Sequence, residues 1–258
     1  MSDLILCTLQ LDLVWENPQA NREKTERLLQ QVGKDVDLIV LPEMFTTGFS
    51  MDAPRIAEKH DYSTMESLRW MKKTAKTKGA VITGSIAVED GGEYFNRLYW
   101  VEPSGKFSFY DKHHLFAFAG EDKHYTAGKN KIIVEIKGWK ILPLICFDLR
   151  FPEWSRNKLV ENSPQYDLLL YVANWPERRS EHWKKLLLAR AIENQCYMAG
   201  VNRVGKDDNG IRYRGDSAII DYLGKYVLSH PEFEESIKVA TLNKSSLVKY
   251  RKVFPVLR

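Results

Sequence analysis

Cysteine is scarce. The three present, Cys7, Cys146 and Cys196, are odd in number, widely spaced and without a C-x-x-C pair. That pattern argues against a disulfide framework and a zinc ribbon, and it predicts a reducing compartment. No apolar run approaches the roughly 20 residues of a membrane span. The N-terminus passes straight into Leu4-Ile5-Leu6 with neither a basic segment nor a small-residue cleavage site. A cytoplasmic location with no membrane contact is therefore expected. Surplus charge is also small: 38 Lys and Arg against 34 Asp and Glu leave +4, spread along the chain. Nucleic-acid binders gather basic residues in a patch, so no nucleic-acid partner is expected. The glycines form neither a G-x-G-x-x-G nor a G-x-x-x-x-G-K-[ST] loop, which leaves a nucleotide cofactor unsupported. His113, His114, His124 and His182 make no H-E-x-x-H pattern and no cluster with metal-ligand spacing, so neither a metal nor any other cofactor is expected.

What remains is an ordinary globular composition, 44% hydrophobic and 28% charged over 258 residues, large enough for one sizeable core. Short β-branched runs alternate with longer amphipathic segments throughout, the pattern of an α/β protein. Strands are predicted at 4–11, 38–41, 80–88, 96–101, 131–136, 139–146, 168–172, 198–204, 217–220 and 237–242. Helices are predicted at 18–32, 63–78, 151–160 and 180–194. Asp90-Gly91-Gly92 and Pro103-Ser104-Gly105 join apolar runs at hairpin spacing, so the sheets should be mixed. No linker or low-complexity stretch divides the chain, and one domain over 1–258 is expected.

Three segments share a design in which a strand ends in a polar residue. Trp139-Lys-Ile-Leu-Pro-Leu-Ile-Cys146 runs into Phe147-Asp-Leu-Arg-Phe-Pro152, a strand followed by a helix start. A nucleophile at such a turn is exposed at the sheet edge, and N–H groups at the helix start can receive an oxyanion. A buried structural thiol is the alternative for Cys146 taken alone. Asp37-Leu-Ile-Val-Leu-Pro-Glu43 ends in a carboxylate placed near Met44, Phe45 and Phe49. Such a group is either a general base in a partly apolar pocket or a surface acid at a strand end. Tyr110-Asp-Lys112-His-His-Leu sets a lysine among aromatic and imidazole side chains, as a fixed positive charge or as a solvated loop residue.

Together, Leu-Pro-Glu43, Tyr-Asp-Lys112-His-His-Leu and Cys146-Phe-Asp-Leu-Arg-Phe-Pro-Glu-Trp, spaced 69 and 34 residues apart, resemble the motifs of the carbon-nitrogen hydrolase family, or nitrilase superfamily. The resemblance extends through Asn174-Trp175-Pro176, Ala189-Arg-Ala-Ile-Glu-Asn194 and Val201-Asn-Arg-Val-Gly205 to Gly215-Asp-Ser217, nearly the whole chain. It implies a four-layer αββα sandwich with two mixed sheets between helical layers. It also implies a homodimer joined across a helical face, with residues 248–258 as an extension reaching across. Carried over residue by residue, it makes Cys146 the nucleophile, Glu43 the general base and later acid, and Lys112 the cation that stabilises the tetrahedral intermediate. The backbone N–H of Phe147 becomes the oxyanion donor. A second glutamate found in many members falls on Glu121, although Asp122 stands beside it.

Phe-Thr-Thr-Gly-Phe-Ser after Glu43, Phe-Ala-Gly-Glu121-Asp-Lys-His-Tyr-Thr-Ala-Gly and Ala-Asn-Trp175-Pro look most like the ω-amidase branch. That branch implies hydrolysis of small anionic amides such as 2-oxoglutaramate and 2-oxosuccinamate. Other carbon-nitrogen hydrolyses, of N-carbamoyl amino acids or nitriles, and a non-catalytic binding protein with the same fold are the rivals. For the substrate's distal carboxylate Arg150 is one candidate, a structural arginine being the alternative. Phe45 and Trp175 are candidates for apolar pocket walls, and either could instead be plain core.

Overall fold

The computed structural model describes residues 2–257. The chain first lays down β1 (Leu4–Gln10), α1 (Pro18–Leu29), β2 (Leu38–Val40) and α2 (Glu66–Lys78), then the antiparallel strands β3 (Val81–Asp90), β4 (Glu93–Val101) and β5 (Phe107–Asp111). A second run follows with β6 (Val134–Ile136), β7 (Trp139–Ile145), β8 (Leu168–Ala173), α3 (Ser180–Glu193), β9 (Tyr197–Asn202), β10 (Ala218–Ile220) and β11 (Tyr226–Ser229). Finally β12 (Ser236–Leu242) returns to the first sheet, and α4 (Lys244–Val253) closes the chain.

Both sheets follow one plan. The first has the order β12-β1-β2-β3-β4-β5, with the short strand Glu58–Lys59 also on β3; the second has the order β11-β10-β9-β8-β7-β6. In each, three parallel strands hold the centre and antiparallel strands flank them. Side chains alternate along β1 and β2: Leu4, Leu6, Leu38 and Val40 face the second sheet, whereas Cys7, Leu9 and Ile39 pack with Leu29, Leu68 and Met71 of α1 and α2. Beyond the second sheet, Trp183, Leu187 and Ala191 of α3 complete its core, and Gly200 of β9 lets that helix approach. A Cβ at Gly200 would stand 2.5 Å from Leu187 Cδ1. The result is the expected αββα sandwich.

Local chemistry explains the helix bounds. Asn17 caps α1 by accepting from Ala20 N–H, with Pro18 at the first helical position, and α2 stops at Gly79, whose φ is 67°. One expected helix is corrected: 151–160 is a single turn, Pro152–Ser155, followed by a tight hairpin of Leu159–Val160 with Ser163–Pro164. The turn ends at Arg156, whose ψ of 121° leaves the helical region, and buried Asn157 then anchors the chain by donating to Tyr166 O and Asn194 O. The terminal segment is engaged with its own chain. Arg251 bonds Gln195 O, Asp167 and Tyr166 O, Gln195 Nε2 donates to Phe254 O, and Leu257 is buried. Residue 258 lies outside the described residues.

The parallel strands place the chemistry. The chain leaves the carboxyl end of β2 at Leu41-Pro42-Glu43, that of β7 at Cys146 and that of β8 at Asn174. Lys112 directly follows β5. Polar residues therefore converge at one end of the two sheets, where parallel strands commonly open a ligand site.

Candidate active site

Cys146 begins a 3-10 turn, Cys146–Arg150, and takes φ 42°, the left-handed region that non-glycine residues rarely adopt. This sharp bend lifts the thiol out of line with β7. Asp148 braces the bend: its buried carboxylate accepts Ile145 N–H at 3.1 Å and Tyr110 O–H at 2.7 Å. It also accepts His114 N–H at 3.0 Å and His114 Nδ1–H at 2.8 Å. One side chain thus ties the cysteine turn to the segment that carries Lys112. Stacking of His114 on Phe151 at 3.7 Å and of His113 on Trp154 at 3.8 Å reinforces the join. Early in the turn, the N–H of Phe147 has no helical carbonyl before it to bond.

Beside Cys146 three ionisable groups are buried together. Lys112 Nζ donates to Glu43 Oε1 at 2.9 Å and to both oxygens of Glu121 at 3.0 and 2.9 Å, with all three side chains at most 1% exposed. Asn96 donates to Glu43 at 2.8 Å and to Glu121 at 3.3 Å. Asn174 N–H donates to the other Glu43 oxygen at 2.7 Å, and Phe116 N–H to Glu121 at 2.6 Å. Buried charges persist only when paired and hydrogen-bonded in this way. Burial opposes the charge on Lys112, yet Glu121 and Glu43 outweigh it and hold its pKa above the ordinary lysine range. For Glu121 burial dominates the pull of Lys112, so its pKa is raised. Burial also pushes the Cys146 thiol well above the usual thiol range, with Glu43 adding to the effect and Lys112 opposing it. A thiolate would add negative charge beside two carboxyl groups that share one ammonium.

Cys146 and Lys112 open onto a cavity of about 240 Å³. Phe49, Phe116, Phe118, Trp175 and Tyr213 wall it, and Arg150, Arg178 and Arg179 also line it. Arg150 lies 4.9 Å above the Trp175 ring, and Arg179 lies 5.0 Å above Phe116.

The carbon-nitrogen hydrolase family profile matches residues 6–252. The chain belongs to this family. The hydrolase is 47% identical over 256 residues to the omega-amidase YafV of Escherichia coli strain K12, covering 99% of this chain and 96% of that one. It is 36% identical over 250 residues to the 2-oxoglutaramate amidase of Bacillus subtilis, covering 96% and 94%. A solved structure from Xanthomonas campestris, described as a CN-hydrolase superfamily protein with an arsenic adduct in the active site, superposes with a TM-score of 0.96 at 42% identity over 99% of this chain and 96% of that one. The Saccharomyces cerevisiae Nit3 structure, at 22% identity and a TM-score of 0.87 over 99% and 96%, shares the fold.

In this hydrolase Glu43, Lys112, Glu121 and Cys146 meet at one point, and Glu121 rather than exposed Asp122 is the carboxylate on Lys112. Phe147, Arg150 and Trp175 line the adjoining cavity. Phe45 does not join them, which corrects its assignment as a pocket wall. It is fully buried, its ring is 5.7 Å from that of Trp70, and it packs in the core of the first sheet and its helices. The positive φ at Met44 (42°) turns the chain between Glu43 and Phe45 and sends the two side chains to different places. Asn96, Asp148 and Arg179 were missed. A lone Asn in the apolar strand 93–101 was a usable signal for Asn96, and the Arg178-Arg179 doublet after Asn174-Trp-Pro was one for Arg179.

Proposed function

We propose that this hydrolase is an ω-amidase that removes the terminal amide of small α-keto acid amides, 2-oxoglutaramate and 2-oxosuccinamate, as ammonia. The reading rests on one observation above all: a thiol at a strained turn, facing a buried lysine shared by two glutamates, beneath a small cavity lined with arginines. The names of the E. coli and B. subtilis relatives support the substrate.

In each proposed half-reaction Glu43 takes up one proton and then gives it back. Glu43 takes the Cys146 proton as sulfur bonds to the amide carbon, so the cluster gains no net charge and the cost of a buried thiolate is limited. The carbonyl electron pair moves to oxygen, where Phe147 N–H and Lys112 Nζ receive it. Collapse of this intermediate breaks the C–N bond while Glu43 returns the proton to nitrogen, and ammonia leaves a thioester on Cys146. Glu43 then removes a proton from water as the hydroxyl adds to the thioester carbon. Collapse frees the acid, and Glu43 reprotonates the sulfur. Glu121 holds Lys112 in place throughout. Arg150 and Trp175 are proposed to contact substrate, Arg150 at the distal carboxylate.

Ammonia release from α-keto-ω-amides, N-carbamoyl amino acids and nitriles, each measured with wild type and Cys146→Ala, tests the reading. Highest kcat/KM on the keto amides, lost in the variant, is expected. A preference of orders of magnitude for carbamoyl acids would overturn the substrate, and turnover by the variant would overturn the nucleophile.

We also propose a single functional domain, a homodimer and a cytoplasmic setting. Exposed Ile192 of α3, with Leu223 and the β11 residues Tyr226 and Val227 also exposed, supports an apolar interface, and a reagent thiol requires a reducing environment. A monomeric mass by light scattering at micromolar concentration would contradict the dimer.

A further inference from the structure

Arg150, Arg178 and Arg179 line one cavity, and among the described residues none of the three forms an ion pair with a carboxylate. Nearby acids are occupied elsewhere: Glu177, in the same 3-10 turn as Arg178 and Arg179, lies 3.4 Å from Arg212, and Asp216 lies 3.4 Å from Arg214. Lys112 has Glu43 and Glu121 behind it. The mouth of the cavity therefore concentrates guanidinium charge that the protein does not neutralise. Unpaired guanidiniums gathered around a small space suit an anion, and a planar carboxylate matches their donor geometry.

The three arginines are not equivalent. Arg178 is exposed, whereas Arg150 and Arg179 are half-buried. Arg179 is set by its backbone: its N–H donates to Pro176 O at 2.9 Å, and its carbonyl accepts the Trp175 indole N–H at 2.8 Å. Its guanidinium stands over Phe116. Arg150 is fixed from the other side by the Trp175 ring and by donation from Nη2 to His182 Nδ1 at 2.9 Å. Trp175 thus positions both, through its ring and through its indole N–H. Both line the same small cavity as Cys146.

We propose that Arg179 and Arg150 form a two-armed clamp for the substrate carboxylate, with Arg179 the residue that sets the preference for anionic over neutral amides. This rests on the anionic-amide reading of the site. A ligand held by both arms would have its amide directed toward Cys146, so the clamp would fix chain length as well as charge.

The test is the ratio of kcat/KM for an anionic amide, 2-oxoglutaramate or succinamate, to that for a neutral amide of similar length, butyramide. It is measured for wild type, Arg179→Ala, Arg179→Lys, Arg150→Ala and the Arg150/Arg179 double alanine variant. Loss of one charge-assisted contact should lower the ratio by about 10- to 100-fold in Arg179→Ala. Lysine should restore part of it, and the double variant should lose less than the product of the single losses because both arms serve one carboxylate. An unchanged ratio in Arg179→Ala, with wild type still preferring anionic amides, would overturn the clamp alone. A wild type that prefers butyramide would overturn the clamp together with the anionic-substrate reading. Equal loss on both amides would make Arg179 a wall support rather than a specificity residue.

Discussion

At Cys146 a strained backbone and a buried thiol coincide, and each conditions what substitution should do. Alanine tolerates φ 42° no worse than cysteine, so Cys146→Ala should melt at a temperature close to wild type while ammonia release falls by about 10³-fold or more. Lys112 has the opposite profile. Lys112→Met would leave Glu43 and Glu121 facing each other without a cation, and breaking a buried pair from one side costs about 3–5 kcal/mol. Urea unfolding should show that loss alongside loss of activity, whereas Glu121→Gln, which removes one of the two facing charges, should cost less stability. The candidate triad Glu43, Lys112 and Cys146 was legible because each residue closes a distinctive run of sequence. Phe45 is adjacent to the Glu43 segment in sequence but not to the cavity, because the left-handed Met44 between them sends the two side chains apart. Asn96 and Asp148 were hidden for a different reason: their importance lies in contacts with segments distant in sequence.

Between elements, Asp148 is the joint. Four donors from β7, from Tyr110 and from the loop after Lys112 converge on one carboxylate, and an asparagine could accept at only one of its two positions. Asp148→Asn should lower kcat by about 10- to 100-fold, with a smaller change in KM, because the cysteine turn and the lysine loop would lose their common register. Steady-state kinetics on a purified, folded variant would check this. A second joint is His230, whose ring bonds Thr8 Oγ1 of β1 at 2.8 Å and Ser236 Oγ of β12 at 2.7 Å. Burial, assisted by Lys238, lowers its pKa from 6.5 to about 4. Because the folded value is depressed, the unfolded chain binds the proton first as pH falls. Stability is full above pH 6.5 and should decline by about 3 kcal/mol toward pH 4. His230→Asn should be less stable at neutral pH yet show a shallower decline, measured by urea midpoints across that range. The element pattern was legible where strands are apolar and β-branched, as in β2, β7 and β8. The strand β5, Phe-Ser-Phe-Tyr-Asp, was missed because it is short and polar-interrupted, and α4 because its exposed face carries lysine and arginine.

Across the whole molecule, the charge surplus that said nothing about nucleic acid becomes a local matter of three arginines around one cavity. The fold itself is closed by the end of the chain: β12 pairs with β1 over the full register from Leu4 with Leu242 to Gln10 with Ser236. Removal of residues 236–258 would strip β1 of that partner and expose a row of N–H and C=O groups, so the truncated chain should be recovered as aggregate with no cooperative melting transition. The same pairing bears on how the protein is made. Thr8 and Lys238 are register partners 230 residues apart. At about 5–20 residues per second, a ribosome needs roughly 10–50 s to bring the second within reach of the first. Through that interval the nascent first sheet has an open edge, which leaves β1 exposed to its neighbours until residues 236–242 have been made.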